Sequence, residues 1–234
     1  MKRGKNYKAG AAKVDREKLY SPTEALDLLG EISFAKFDET VEVHFNLGID
    51  PRHADQQLRG TLALPNGTGK DIRIVVVTSG ENVDKAISAG ADFVGGDDIV
   101  EKIQNGWFDF DLVIATPDMM AKVGKLGRVL GAKGLMPNPK SGTVTPNIEE
   151  VVKGFKSGKI EYRNDKSGLI HLIIGKKSFG TEKLSENFNL VYNTILKAKP
   201  AKSKGIYMNS ISFNTSMSAG IYIEPMNTRW KDGN

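Results

Sequence analysis

The segment GRVLGAKGLMPNPKSGTVT at residues 127–145 concentrates glycine, proline and cations and contains no acid. Between Asp118 and Glu149 the chain carries Lys122, Lys125, Arg128, Lys133 and Lys140 and not one carboxylate. Three chemistries suit such a stretch: a phosphate cradle of an enzyme, a clamp on RNA backbone, or a loop whose glycines serve only its own shape. The phosphate-loop reading fails residue by residue. NGTGKD at 66–71 imitates the end of a P-loop, but that motif needs glycine at position 64 and Ser or Thr at 71, where Leu64 and Asp71 stand. No G-x-G-x-x-G follows the apolar run IRIVVV, so a dinucleotide fold loses its fingerprint. GAKG (131–134) has the spacing of a KH-domain G-x-x-G loop, yet Pro137 and Pro139 block a second helix directly after it. Gly131 as a helix C-cap ahead of a proline-stiffened loop is the plainer expectation.

Other catalytic material is sparse. His44, His53 and His171 lack metal-ligand spacing, and His44 and His171 fall inside strand patterns. The acidic pairs Asp97-Asp98 and Glu149-Glu150 open predicted helices, where carboxylates favour the positive end of the dipole. With no cysteine there is no disulfide, thiolate nucleophile or cysteine-based zinc site, and a reducing cytoplasm is the natural setting. No catalytic residue, metal or cofactor is expected.

The elements that position these residues fall into two groups. DIRIVVVTS (71–79), ADFVGG and FDLVIATP (110–117) read as strands. NVDKAISAGA (82–91), DDIVEKIQNG capped by Asp97 or Asp98, MMAKVGKLGRVLG (119–131) and PNIEEVVKGFKSG (146–158) capped by Asn147 read as helices. Alternation of this kind predicts a doubly wound parallel sheet. The flanks are not self-sufficient: residues 1–67 offer one helix (21–32) and one convincing strand (40–49), which leave open sheet edges. Their partners lie beyond residue 158: KIEYRN and GLIHLIIG as a hairpin about NDKSG, a long helix at 181–199, and more strand at 205–224. The expected organisation is one α+β domain from residues 1–67 and 159–234, interrupted by an inserted α/β domain at 68–158. The crossings lie near 64–70 and 156–159, with Gly67, Gly69 and Gly158 as hinge residues.

Charge supports this division. The formal net charge is only +5, but residues 1–67 balance at 0, residues 68–158 at −1 and residues 159–234 at +6. An anionic partner is therefore expected on the domain built from the two ends. No apolar run is long enough to span a bilayer and no signal-peptide core follows the basic start, so no membrane partner is expected.

Read in order, FDETVEVHFNLGIDPRHADQQLRGTLALPNGTGK (37–70), LGRVLGAKGLMPNPKSGTVT (126–145), YRNDKSGLIH (162–171) and TSMSAG near the C-terminus resemble the ribosomal protein L-one family of the large subunit. The resemblance covers nearly the whole chain. It implies a discontinuous RNA-binding domain with an inserted Rossmann-like, three-layer domain. It further implies binding to large-subunit rRNA in the mobile stalk beside the E site, help in releasing deacylated tRNA, and repression of translation from the protein's own operon mRNA. A monomer is expected off the ribosome.

Carried over by matching positions, the resemblance points to Lys36, Phe37, Thr40, Glu42 and His44, the turn Lys166-Ser167-Gly168, and Ser210 with Thr215-Ser216-Met217-Ser218 as rRNA contacts. Hydroxyls and backbone groups suit sugar edges and 2′-OH groups, and the flat apolar Phe37 and Met217 suit base contact. Arg52, Arg59, Lys125, Arg128 and Lys133 are assigned to face tRNA. Two departures stand out: Ser216-Met217-Ser218 replaces the family's usual Thr-Met-Gly, and Gly131-Ala132-Lys133-Gly134 replaces GPRG, exchanging a guanidinium fork for a point charge. The competing readings are a nucleotide-binding α/β enzyme working through the middle domain, and a general polyanion binder with a steep salt dependence.

Overall fold

In the computed structural model, which describes residues 3–225, the chain leaves a first unit at Gly69, builds a second from Lys70–Glu161, and returns to the first at Tyr162. The basic N-terminus forms a short helix, α1 (Lys5–Ala11), that the sequence pattern did not announce and that buries no side chain. Ser21 then starts α2 (Pro22–Ile32) through a capping box: its Oγ accepts from the Glu24 amide at 3.3 Å, and Glu24 Oε2 accepts from the Ser21 amide at 3.2 Å. Pro22, fixed at a helical φ, occupies the first turn, where its missing N–H costs nothing. Strand β1 (Thr40–Leu47) alternates strictly, burying Val41, Val43, Phe45 and Leu47, and β2 (Arg59–Ala63) follows.

The second unit reads β3 (Ile74–Val77), α3 (Asn82–Ser88), β4 (Phe93–Gly95), α4 (Asp97–Gln104), β5 (Leu112–Ala115), α5 (Met120–Val123), α6 (Gly127–Ala132) and α7 (Ile148–Lys156). Its three strands lie parallel in the order β4-β3-β5. β3 is buried on both faces, as an all-apolar central strand must be. Ile74, Val76 and Ile114 pack with Ala86, Val152 and Phe155 of α3 and α7. Val75, Val77 and Val113 pack on the other side with Ile99, Ile103, Val123 and Leu130 of α4, α5 and α6.

Three local expectations are corrected here. The helix predicted over 119–131 is broken into α5, a 3-10 turn at Gly124–Leu126 and α6, because Gly124 and Gly127 weaken propagation while Val123, Leu126 and Leu130 keep the buried stripe. Gly134, at φ 72°, rather than Gly131 ends α6: its N–H donates to Gly131 O and that of Leu135 to Leu130 O, a Schellman pair that needs a left-handed residue at 134. Neither Asp97 nor Asp98 is the N-cap of α4, which is Gly96. Asp98 Oδ1 instead accepts the Gly96 N–H at 2.9 Å. Asn147 holds the N-cap position of α7 but makes no side-chain cap bond.

The returning chain forms β6 (Lys159–Arg163), β7 (Leu169–Lys176), α8 (Gly180–Lys197), β8 (Met208–Thr215) and β9 (Ile221–Ile223). β7, β1, β8 and β9 make a four-stranded antiparallel sheet in that order, while β6 pairs with β2. The predicted hairpin is therefore only a turn. β6 and β7 join different sheets, linked by a single bridge between Asn164 and Ile170, because β7 must turn Ile170, Leu172 and Ile174 inward against α8. The sheet's inner face meets α2 and α8 around Phe45, Phe188 and Phe213, with Phe188 and Phe213 edge-to-face at 4.8 Å.

Candidate nucleic-acid interface

Because α2 and α8 cover one face of the sheet, strand alternation presents the other to solvent. Along β1 this open face carries Thr40, Glu42, His44 and Asn46. Opposite them on β8 stand Asn214 (beside Glu42), Ser212 (beside His44) and Ser210 (beside Asn46), and on β7 stand His171 and Ile173. Tyr222 of β9, paired with Ser212, extends the face. Ser212, Asn214, His171, Ile173 and Tyr222 were not among the predicted contacts. The period-2 pattern of β7 and β8 was the signal that could have supplied them.

At the centre, His44 Nδ1 lies 2.7 Å from His171 Nδ1 and the rings meet edge-on at 4.8 Å. His44 Nε2 contacts Asn214 Oδ1, whose own Nδ2 donates to Thr215 O. In the tautomer with His44 Nε2–H donating to that amide oxygen, His44 Nδ1 is the acceptor and His171 Nδ1–H the donor. These contacts link side chains of β7, β1 and β8 across the face.

The predicted contacts fall at the two ends of β1 and on the face between them. At the Thr40 end, Ser216 Oγ accepts the Thr40 N–H at 3.2 Å and Ser216 N–H donates back to Thr40 O. Lys176 Nζ donates to Thr40 Oγ1 at 2.8 Å. Phe37 is 57% exposed and Met217 49%, and Lys36 is exposed beside Phe37. Thr215 is buried, its hydroxyl given to Glu39. Ser218 Oγ accepts the Thr215 N–H and donates to Ala219 O, capping the turn from within. Its φ is not positive, so serine fits this position without backbone strain.

At the Leu47 end, Asp165 Oδ1 accepts from the amides of Ser167 and Leu169 at 2.8 Å each, and this sets the tight turn that displays Lys166 and Ser167. Gly168 has φ 80°, and a Cβ built on it would lie 3.1 Å from Leu47 O, so any other residue here is strained by both its backbone and its neighbours. The two ends stand about 24 Å apart at about 3.4 Å per residue.

Arg52 lies in the loop after β1, its side chain 91% exposed and loosely paired with Asp50 at 3.7 Å; Arg59 begins β2. Lys125, Arg128 and Lys133 belong to the second unit and are exposed along the α5–α6 segment, with the Lys133 ammonium 4.4 Å over the Phe108 ring. Lys122, from the same acid-free strip, is paired with Asp97 at 2.6 Å. Gly67 and Gly69 have φ of 65° and 70°; Gly158, at 107°, follows the last turn of α7, its N–H donating to Phe155 O. Among the described residues no group of three or more His, Cys, Asp or Glu could hold a metal ion.

Comparison with known proteins places the chain among ribosomal proteins: it is 55% identical over 226 residues, 97% of its own length and 98% of the relative's, to the large ribosomal subunit protein uL1 of Lactobacillus johnsonii. The sequence profile of the ribosomal protein L1p/L10e family matches residues 29–219, and the chain belongs to that family. Its members are structural, non-enzymatic proteins, and the reading of the second unit as a nucleotide-binding enzyme finds no support.

Proposed function

We propose that the chain binds large-subunit rRNA through the open sheet face of its first unit and the loops at both ends of β1. The observation that carries this reading is the pairing of a polar, hydroxyl- and imidazole-bearing face with two exposed apolar side chains, Phe37 and Met217, at its rim. Such a surface can stack and fill against bases while its hydroxyls and amides engage sugar edges, which is how folded RNA is recognised by shape. On this reading Lys36, Phe37, Glu42, His44, Ser216 and Met217 face RNA, Lys166 and Ser167 reach it from the far turn, and Thr215 and Gly168 shape the two ends. Family membership and the named relative support the ribosomal setting, on the large subunit of the cytoplasmic ribosome.

The remaining roles involve both units. An mRNA that copies the rRNA site competes for it, which gives repression of the protein's own operon. The first unit acts as the RNA-holding domain, and the inserted α/β unit swings about the crossings near 64–70 and 156–159, two connections that permit hinge motion and restrict twisting. Its exposed Lys125, Arg128 and Lys133, with Arg52 and Arg59, then attract the E-site tRNA.

A filter-binding comparison tests the central claim. The rRNA hairpin is expected to bind at least about a hundredfold more tightly than an unrelated duplex at the same salt. Equal affinities with parallel salt slopes would establish a general polyanion binder instead.

A further inference from the structure

Among the described residues Glu39 is the only charged side chain that is buried, at 0% exposure. Its Oε1 accepts from Ser33 Oγ at 2.7 Å and the Ala35 N–H at 2.9 Å; its Oε2 accepts from Thr215 Oγ1 at 2.5 Å and the Met217 N–H at 3.1 Å. Burial pushes this carboxyl up, but the hydrogen bonds from Thr215, Ser33, Ala35 and Met217 together outweigh it and hold it below the usual glutamate value, so it stays ionised. All four donors are neutral. A buried charge held only by neutral donors is a costly way to close a core, which apolar side chains of the same volume would do at least as well. What a carboxylate alone supplies here is two acceptor oxygens facing opposite ways, each taking two donors.

Those two oxygens hold two different loops. Ser33 and Ala35 belong to the 33–39 segment, which is further tied down by Lys177 Nζ on Ser33 O and by Ser178 on the Asp38 carboxylate. Lys36 and Phe37 lie on the stretch between these anchors and are exposed. Thr215 ends β8 and Met217 belongs to the turn after it, which presents Ser216 and Met217. Glu39 therefore fixes the distance between the Phe37 loop and the Met217 loop.

We propose that Glu39 is a positioning residue for RNA: without touching the ligand, it sets the spacing of Phe37 and Met217 and thereby the preference for one RNA shape over others. This rests on the rRNA-binding reading above. In Glu39→Gln the amide NH2 must face donors on one side, so one of the two loops is released.

The full-length chain carries the test. E39Q is expected to bind the rRNA hairpin about thirtyfold more weakly and an unrelated duplex less than about twofold more weakly at fixed salt and pH 7. T215V, which removes one donor, loses about tenfold on the hairpin, and the double variant loses no more than E39Q, because both act on one bracket. Amide hydrogen exchange at Ala35 or Met217 quickens in E39Q before RNA is added. The proposal is overturned by a folded E39Q with full hairpin affinity, by losses that multiply in the double variant, or by equal losses on both RNAs. If E39Q does not fold, S33A and T215V decide: full hairpin affinity in both overturns it. A wild-type chain without hairpin preference would sink the rRNA reading, whereas unchanged exchange at Ala35 and Met217 in E39Q would sink this one.

Discussion

At the scale of single residues, buried polar side chains do more here than the exposed ones that first draw attention. Asn187 of α8 is fully buried: its Nδ2 donates to Gly67 O at 3.0 Å and Ile174 O at 2.7 Å, and its Oδ1 accepts the Asn66 N–H at 3.1 Å. One amide thus satisfies three backbone groups and anchors the chain just before it leaves the first unit. Asn187→Ala strips all three partners and is expected to cost about 2–4 kcal/mol in urea denaturation. A loss under about 0.5 kcal/mol would mean that water replaces the amide without penalty. Neither Asn187 nor Glu39 stood out in the sequence. Asn187 sits in an ordinary helix and Glu39 in the loop before β1, and the groups Glu39 satisfies come from positions as far as 178 residues away. Phe37 and Met217, by contrast, were singled out as expected contacts by the family resemblance, and the structure leaves both exposed.

At the scale of elements, the parallel sheet of the second unit is tied at its edges by carboxylates. Asp111 accepts from Lys70 at 2.7 Å and from Arg73 Nε at 3.2 Å; Asp92 accepts from Lys156 at 2.8 Å and the Ile74 N–H at 2.7 Å. Burial raises both carboxyls, but the hydrogen bonds from Lys156 and Ile74 to Asp92, and from Lys70 and Arg73 to Asp111, outweigh it, so both titrate below the ordinary aspartate value. A folded-state value lowered in this way stabilises the unit fully above the unfolded pKa of about 3.9, and the contribution is lost as pH falls through the folded value. Denaturation midpoints of the wild type should therefore drop more steeply below about pH 4 than those of Asp111→Asn. Parallel curves for the two would show that Asp111 contributes nothing pH-dependent. Element type followed from sequence in α8, β1, β6 and β7. It failed at α1, too short and too solvated to leave a stripe, and the pairing of β6 with β7 failed because it was settled by burial rather than by the turn.

At the scale of the whole molecule, the two units should divide the labour. A chain in which residues 1–67 are joined to 159–234 by a short linker is expected to bind the rRNA hairpin within about threefold of the full chain. Neutralising Lys125, Arg128 and Lys133 together should leave hairpin affinity equally intact and slow or hasten the release of tRNA from ribosomes. Collapse of hairpin binding in either case would show that the second unit contributes directly to rRNA recognition. The stretch 127–145 identifies the family yet lies in the second unit, and its capping glycine is Gly134, set by the Schellman bonds of α6. Sequence by itself determined the mixed α/β class, the alternation that buries Val41, Val43 and Phe45, and the family, because these depend on composition, period and contiguous motifs. Only the tertiary structure decided which strands pair, which face of the four-stranded sheet is open, and which hydroxyls are spent on Glu39 rather than left for a ligand. Those outcomes depend on contacts between segments far apart along the chain: the period-2 pattern separates the two faces of each strand but does not say which strands join or what covers them.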